Sequence, residues 1–263
     1  MIELNKIYNM DCLEGLKLLD DNSIDCTITS PPYYKQLSYE SNFNSYIQFI
    51  KWVEKWVKEV YRVTKDEGYF FLNFANDKTN TIKSYEVLEI ATRYFRLHDT
   101  IIWYRYNSQP VNTDRQLTPQ YEFVFMLVKN PKNYHLNKEE LMKEIPSMFD
   151  TKNVGNVWKI PFNKDKTQGF SMKKQDADAS NGIWGHSGFP IDLPKGCILL
   201  TTKPNDIVLD LFMGSGTTAK ACLSLNRQFI GFEISQDYCA IANKRIDYLL
   251  RQTTIFTNFE DQV

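Results

Sequence analysis

The chain is 263 residues long, 43% hydrophobic and 14% aromatic, with a formal net charge of -1. These values provide a packed core for one large α/β domain with an insertion, or for two small domains, and exclude a disordered chain. They exclude a membrane span, since no run of about 20 apolar residues occurs, and a near-neutral total advertises no polyanionic partner unless a local basic cleft hides inside it.

The N-terminus, MIELNKIYNMD, lacks the apolar stretch of a secretory signal. Residues 3–9 (ELNKIYN) and 22–29 (NSIDCTIT) read as strands, with a short helix, CLEGLKLL, between them. The second strand runs into TSPPYY, where two consecutive prolines fix φ twice, remove two backbone donors and force Ser30 into an extended conformation. The expected product is a stiff ledge with an aromatic ring at its end, suited to gripping something flat. Residues 44–64 carry Ile47, Ile50, Trp52, Val53, Trp56, Val57, Val60 and Tyr61 at helical spacing. GYFFLNFA (68–75) is a near-continuous apolar run, as expected of a parallel strand covered on both faces. A helix near 81–95 follows, then strands in HDTIIWYRY and YEFVFMLVK (121–129). This alternation predicts βαβ units and a mostly parallel sheet.

Residues 130–185 break the pattern, being rich in Lys, Asn, Asp and Gly with weak periodicity. Lys152, Lys159, Lys164, Lys166, Lys173 and Lys174 cluster here around Trp158, Phe162 and Phe170. Two readings stand: a solvated insertion, or a basic, aromatic-studded surface for a nucleic-acid backbone. The five cysteines, Cys12, Cys26, Cys197, Cys222 and Cys239, are scattered and odd in number, which fits reduced thiols in a cytoplasmic protein. His98, His135 and His186 lie far apart without ligand spacing, so no metal site is expected.

After Pro194 the alternation returns. IVLDLF (207–212) is a strand, GSGTTAKACLSL (214–225) a glycine turn and helix, QFIGFE (228–233) the next strand, and 236–251 a last helix with Tyr238, Ile241, Ala242, Ile246 and Leu249 on one face. Gly214 and Gly216 allow a tight turn and close approach to a ligand, and Glu233 ends the next strand where a carboxylate can take both hydroxyls of a ribose. The third glycine of a dinucleotide fingerprint is missing, with Thr217, Thr218 and Ala219 following Gly216, and no P-loop lysine follows. A nucleoside carrying an uncharged or cationic chain fits this equipment, and S-adenosylmethionine has that shape.

Taken in order, NMDCLEGL (9–16), SIDCTITSPPY (23–33), YRVTKDEGYFFLN (61–73), IIWYR (101–105), TPQYEFVFMLVK (118–129), GNVWKIP (155–161), HSGFPIDLP (186–194), DLFMGSGTT and IGFE cover most of the chain. This series resembles the DNA amino-methyltransferases, in particular the β group, whose catalytic tetrapeptide precedes the cofactor glycines. The resemblance implies a Rossmann-like α/β S-adenosylmethionine-dependent methyltransferase fold, with a seven-stranded mixed sheet, helices on both faces and a circularly permuted motif order. Residues 1–129 would form its catalytic part, 130–185 a target-recognition insertion and 186–263 the cofactor-binding part of the same domain.

The family's roles map onto this sequence residue by residue. Ser30 would hydrogen-bond the exocyclic amine of a flipped base, the Pro31 carbonyl would accept its second proton, Pro32 would stiffen the ledge and Tyr33 would stack on the base. Phe212, Gly214, Gly216 and Thr217 would line S-adenosylmethionine, with Asp210 beneath its methionine end and Glu233 on its ribose. Asp11 and Cys12 match the segment near the adenine ring, and Phe189 and Pro190 one near the methionine moiety. Arg105, Arg115, Lys159, Lys164, Lys166, Lys173 and Lys174 are candidates for DNA phosphates. Leu211 replaces the proline that the family's glycine motif usually carries. A serine-first tetrapeptide goes mostly with cytosine N4 and an Asp- or Asn-first one with adenine N6, so cytosine is favoured and adenine stays open. Carbon-5 methylation is disfavoured, because no Pro-Cys dipeptide supplies its nucleophile.

The expected partner is double-stranded DNA, in the bacterial cytoplasm and on the nucleoid when bound. A homodimer and a companion restriction endonuclease remain open. Other readings are an amino-methyltransferase of RNA or protein, a binding module without catalysis, and, ranked lower, a nicotinamide oxidoreductase.

Overall fold

Eight strands form one sheet in the computed structural model, which describes residues 2–34, 43–76, 80–108, 110, 115, 117–161 and 189–260, with side chains to residue 251 in the last stretch. The strands are β1 (Lys6–Asn9), β2 (Ile24–Thr29), β3 (Thr64–Phe74), β4 (Arg96–Tyr104), β5 (Tyr121–Val128), β6 (Val157–Lys159), β7 (Ile207–Asp210) and β8 (Gln228–Glu233). The helices are α1 (Cys12–Leu16), α2 (Tyr46–Val63), α3 (Lys83–Thr92), α4 (Lys138–Glu144), α5 (Asp192–Thr201), α6 (Thr217–Ser224) and α7 (Gln236–Glu260). Across the sheet the order is β1-β8-β7-β2-β3-β5-β4-β6, and β5 alone runs antiparallel to its neighbours.

Two cores cover the two faces. On one, α1, α2 and α3 pack through Leu16, Phe49, Val53, Trp56 and Ala91 onto Phe70, Leu72, Phe125, Leu209 and Phe232 of the sheet. On the other, α4 to α7 pack through Leu141, Cys197, Ala219 and Ala242 onto Phe71, Trp103, Val124, Val208 and Phe229. Strands buried on both faces explain the unbroken apolar run of β3.

Local chemistry sets the ends of α2. The Ser45 hydroxyl caps the helix by accepting from the Gln48 backbone N–H at 3.3 Å, and the Gln48 side chain reaches back to accept from Asn44 N, just before the cap, at 3.0 Å. The helix stops at Thr64, whose Oγ1 donates to the Val60 carbonyl at 2.6 Å, and β3 starts there without a loop. The strand therefore begins earlier than its apolar run. Phe49 lies on the buried stripe of α2, whereas Ile47, placed on that stripe by spacing alone, is 67% exposed.

The eighth strand is the departure from the expected seven. It lies within residues 130–185, where α4, a 3-10 turn at Pro146–Met148 and β6 are too short to show a period. Leu141, Met148, Trp158 and Ile160 nonetheless enter the core beside α5. Trp158 is fully buried, with its Nε1 donating to the Gly155 carbonyl at 3.1 Å, so it is a packing residue and no part of an aromatic surface for nucleic acid. A Cβ on Gly196 would come within 2.7 Å of its ring, so α5 needs a glycine at this crossing. Phe162, Phe170 and His186 lie outside the described residues.

From β7 the chain passes through α6 to β8 on one side, and from β2 through α2 to β3 on the other. Adjacent parallel strands β7 and β2 thus flank the point where strand order reverses, the edge at whose carboxyl ends open α/β sheets bind ligands.

Candidate active site

The ledge and the glycine turn meet at that edge. β2 ends at Thr29, so Ser30, Pro31, Pro32 and Tyr33 leave its carboxyl end, while β7 ends at Asp210 and delivers Phe212, Gly214 and Gly216 beside them. A direct bond joins the two: Thr29 Oγ1 donates to Asp210 Oδ1 at 2.8 Å across 181 positions of sequence.

On the ledge, Ser30 Oγ and the Tyr33 hydroxyl lie 3.3 Å apart. The Tyr33 ring packs on Phe74, with centroids 4.4 Å apart and planes tilted by 37°. Burial, followed by the charge of Glu122, pushes the Tyr33 phenol well above its ordinary range, so its hydroxyl stays protonated. Glu122 at the start of β5 is itself largely buried, its side chain 13% exposed. It accepts from Asn73 Nδ2 at 3.2 Å and pairs with Arg105 at 2.9 Å, and burial raises its pKa against the lowering effect of Arg105 and Asn73. Arg105 also donates to the Pro119 carbonyl at 3.1 Å. Its guanidinium is thus held by Glu122 and the Pro119 carbonyl.

The glycine turn is pinned from several directions. Gly214 has φ +54° and Gly216 φ +85°, a left-handed backbone that favours glycine. Among the described residues, a Cβ at Gly214 would meet only the Phe212 carbonyl oxygen, at 3.9 Å, whereas one on Gly216 would lie 3.1 Å from the Ala242 Cβ of α7. Glu233 accepts from Gly214 N and Ser235 N, both at 2.8 Å, and burial raises its carboxyl pKa against those bonds. Arg245 of α7 donates to the Ser215 carbonyl at 2.6 Å and to its hydroxyl at 2.9 Å. Asp210 accepts from Thr29, from Phe212 N at 3.1 Å and from Thr218 Oγ1 at 2.6 Å, and burial pushes its carboxyl pKa up to about 6.

The remaining candidates fall around the same edge. Asp11 and Cys12 follow β1, whose last residue Asn9 is in register with Glu233. Asp11 Oδ1 caps α1 by accepting from Leu13 N at 2.8 Å, and the buried Cys12 thiol is pushed up by desolvation. Phe189 and Pro190 precede α5, with Phe189 packed against the core and the Pro190 carbonyl accepting from Leu193 N at 3.0 Å. Thr217 opens α6, and Phe212 lies between Trp52 and Trp56 of α2, at 5.5 and 5.8 Å. Lys159 pairs with Asp150 at 2.8 Å, and Arg115 is exposed. Lys164, Lys166, Lys173 and Lys174 lie outside the described residues.

Sequence reasoning missed Thr29, Asn73, Glu122 and Arg245. Thr29 directly precedes the tetrapeptide and could have been noticed there; the other three act across distant segments and carry no local signal. Among the described residues no three His, Cys, Asp or Glu side chains gather as a metal-binding group, and all five cysteines are free and buried. No helix among them is long and apolar enough to cross a membrane.

A mixed sheet with one antiparallel strand, and a glycine loop and a proline ledge sharing its reversal point, defines a methyltransferase-type α/β domain. The chain belongs to the DNA methylase family of N6 and N4 amino-methyltransferases, whose pattern it matches over residues 24–244. It is 30% identical to the Type II methyltransferase M.HpaI of Haemophilus parainfluenzae over 90% of this chain and 72% of that one. It is 27% identical to the DNA adenine methyltransferase YhdJ of Escherichia coli K12, over 93% of this chain and 83% of that one. Among solved structures, the cytosine-N4-specific PvuII DNA methyltransferase superposes with a TM-score of 0.73 at 23% identity, covering 90% of this chain and 84% of that one.

Proposed function

We propose that this DNA methyltransferase moves a methyl group from S-adenosylmethionine to the exocyclic N4 amine of a cytosine turned out of duplex DNA. The observation that carries the reading is the Thr29–Asp210 bond, which brings the SPPY ledge to the rim of the glycine turn. The donor set fits the cofactor: room over Gly214 among the described residues, a carboxylate on Glu233 for two ribose hydroxyls, aromatic rings at Phe212 and Trp52, and no lysine in P-loop register after the glycines. Asp11 would face the adenine, and Phe189 and Pro190 the methionine end. S-adenosylmethionine supplies a methyl group made electrophilic by its sulfonium.

The chain's own task is to hold the amine. Its lone pair is delocalised into the ring, and two acceptors aimed at its N–H bonds favour the pyramidal form that frees it. Ser30 Oγ and the Pro31 carbonyl are those acceptors, fixed in mutual geometry by Pro31 and Pro32. The neutral Tyr33 hydroxyl sets the orientation of the serine, and the Tyr33 ring backed by Phe74 receives the base. Extrusion of the base costs a few kcal/mol, and stacking on this platform returns part of that. Residues 130–185 choose the target sequence, and the protein works in the bacterial cytoplasm.

Adenine N6 is the second reading, favoured by the likeness to an adenine methyltransferase. The test is nucleoside mass spectrometry of plasmid DNA from cells expressing the protein. N4-methylcytosine is expected; N6-methyladenine alone establishes the second reading, and neither modified base overturns both.

A further inference from the structure

We infer that Asp210 is a positioning residue that couples the acceptor ledge to the cofactor loop, with Thr29 as its partner, and that it does not touch the cofactor. This rests on the methyltransferase reading above. Asp210 is 2% exposed, and its carboxylate gathers three donors from three segments. Thr29 Oγ1 comes from the residue before Ser30, at 2.8 Å; Phe212 N from the loop after β7, at 3.1 Å; and Thr218 Oγ1 from the first turn of α6, at 2.6 Å. A carboxylate has about four lone-pair sites, so three are already occupied within the protein.

The backbone cannot make this link by itself. The paired residues of β2 and β7 are Cys26 with Val208 and Thr27 with Leu209, so the ladder stops before Thr29 and Asp210. The side-chain bond from Thr29 to Asp210 lies outermost, next to Ser30, while Thr218 and Phe212 tie the same carboxylate to the loop that would hold the methyl donor. Donor and acceptor atoms are thereby set against each other through one buried group. Misplacement by about 1 Å costs a reaction of this kind roughly 10²-fold.

The test separates the two arms of the carboxylate. Thr29→Val keeps the shape of the side chain and removes the donor, whereas Thr29→Ser keeps the hydroxyl. With cofactor and DNA saturating, Thr29→Val should lower kcat by about 10²-fold with the cofactor Kd within about 3-fold of wild type, and Thr29→Ser should recover most of the turnover. Thr218→Val, on the cofactor arm, should weaken cofactor binding instead. Thermal melting checks that each variant is folded. Wild-type turnover in Thr29→Val, or equal loss in a folded Thr29→Ser, overturns the inference, and so does a Thr29→Val defect confined to cofactor affinity. A readout independent of activity is the backbone amide resonance of Ser30 during titration with S-adenosylhomocysteine. It should shift in the wild type and respond far less in Thr29→Val; equal responses overturn the coupling. A wild type that methylates no DNA overturns the functional reading alone, and this titration still decides the coupling.

Discussion

The cofactor side and the acceptor-side rim hold their polar groups in opposite ways. On the cofactor side, Asp210, Gly214, Ser215, Thr218 and Glu233 fall within one short stretch, and most of their bonds close inside it. On the rim, Arg105 reaches Glu122 and Pro119, Asn73 reaches Glu122 from another strand, and Trp103 Nε1 donates to the Ile160 carbonyl at 2.9 Å across 57 positions. A short motif can specify the first arrangement. The second exists only once β3, β4, β5 and β6 have assembled. Loss of one residue should therefore damage chemistry or ligand affinity on the cofactor side and overall folding on the rim.

The largest expected effect tests the rim. Trp158→Ala should lower unfolding stability by about 3–5 kcal/mol, because the ring is fully buried against Gly196 and Met148. Urea denaturation checks this, and a loss below about 1 kcal/mol would show that the region is peripheral to the core. The next effect tests the ledge. Ser30→Ala should reduce kcat by roughly 10²–10³-fold while cofactor affinity is retained, since an acceptor aimed at the reacting amine acts in the chemical step. Retained turnover in this variant would remove Ser30 from the catalytic assignment.

Asp210 exposes a conflict between stability and function on the cofactor side. Its folded pKa of about 6 lies above the ordinary 3.8, chiefly through burial, with Glu233 adding to the rise and Thr218, Thr29 and Phe212 N opposing it. Between these values the folded chain keeps a proton that the unfolded chain has released, so raising the pH through the window favours unfolding. The penalty is absent below 3.8 and complete above about 6, on the order of 3 kcal/mol. Asn at this position does not titrate. The stability of Asp210→Asn relative to wild type should accordingly improve from pH 4 to pH 7, and a gap independent of pH would show that Asp210 titrates normally. The charged form is the one that accepts all three bonds, so the wild type would tolerate a less stable fold for a set geometry.

Glu233→Gln gives a smaller, local effect. Both carboxylate oxygens accept backbone N–H groups, and an amide offers only one acceptor, so either Gly214 N or Ser235 N would face an NH2 group. Calorimetry should show the cofactor Kd rising about 10–100-fold, corresponding to roughly 1.5–3 kcal/mol for a charged hydrogen bond. An unchanged Kd would argue against a ribose contact.

Much of the fold was legible because β2, α2, β3, β5, β7, α6 and β8 are long or strongly patterned, and the glycine turn and SPPY ledge consist of residues with unusual backbone demands. What stayed illegible has physical causes. β6 spans three residues and α4 buries one side chain, Leu141, so neither can display a period. Ile47 is apolar, but it lies two residues before Phe49, about 200° round the helix, so Phe49 takes the buried stripe and Ile47 the exposed face. Trp158 resembled a surface ring because lysines surround it in sequence, although in space its neighbours are α5 and β4. Thr29, Glu122 and Arg245 complete the site through partners that no spacing along the chain reveals.

The smallest effect separates two arginines that sequence treated alike. Arg105 is 17% exposed and paired with Glu122, whereas Arg115 is exposed on the chain segment between β4 and β5. If Arg115 meets a phosphate, Arg115→Ala should weaken binding across DNA sequences alike and reduce the slope of log K against log salt by about 1. Arg105→Ala leaves the largely buried Glu122 without its cation, so its main cost should appear as lost stability. Its salt slope, measured on protein that remains folded, should stay at the wild-type value. Fluorescence anisotropy over a salt series reads both variants. A slope reduced by Arg105→Ala and untouched by Arg115→Ala would reverse the assignment, placing the DNA backbone over the Arg105–Glu122 pair and moving the rim's role from support to recognition.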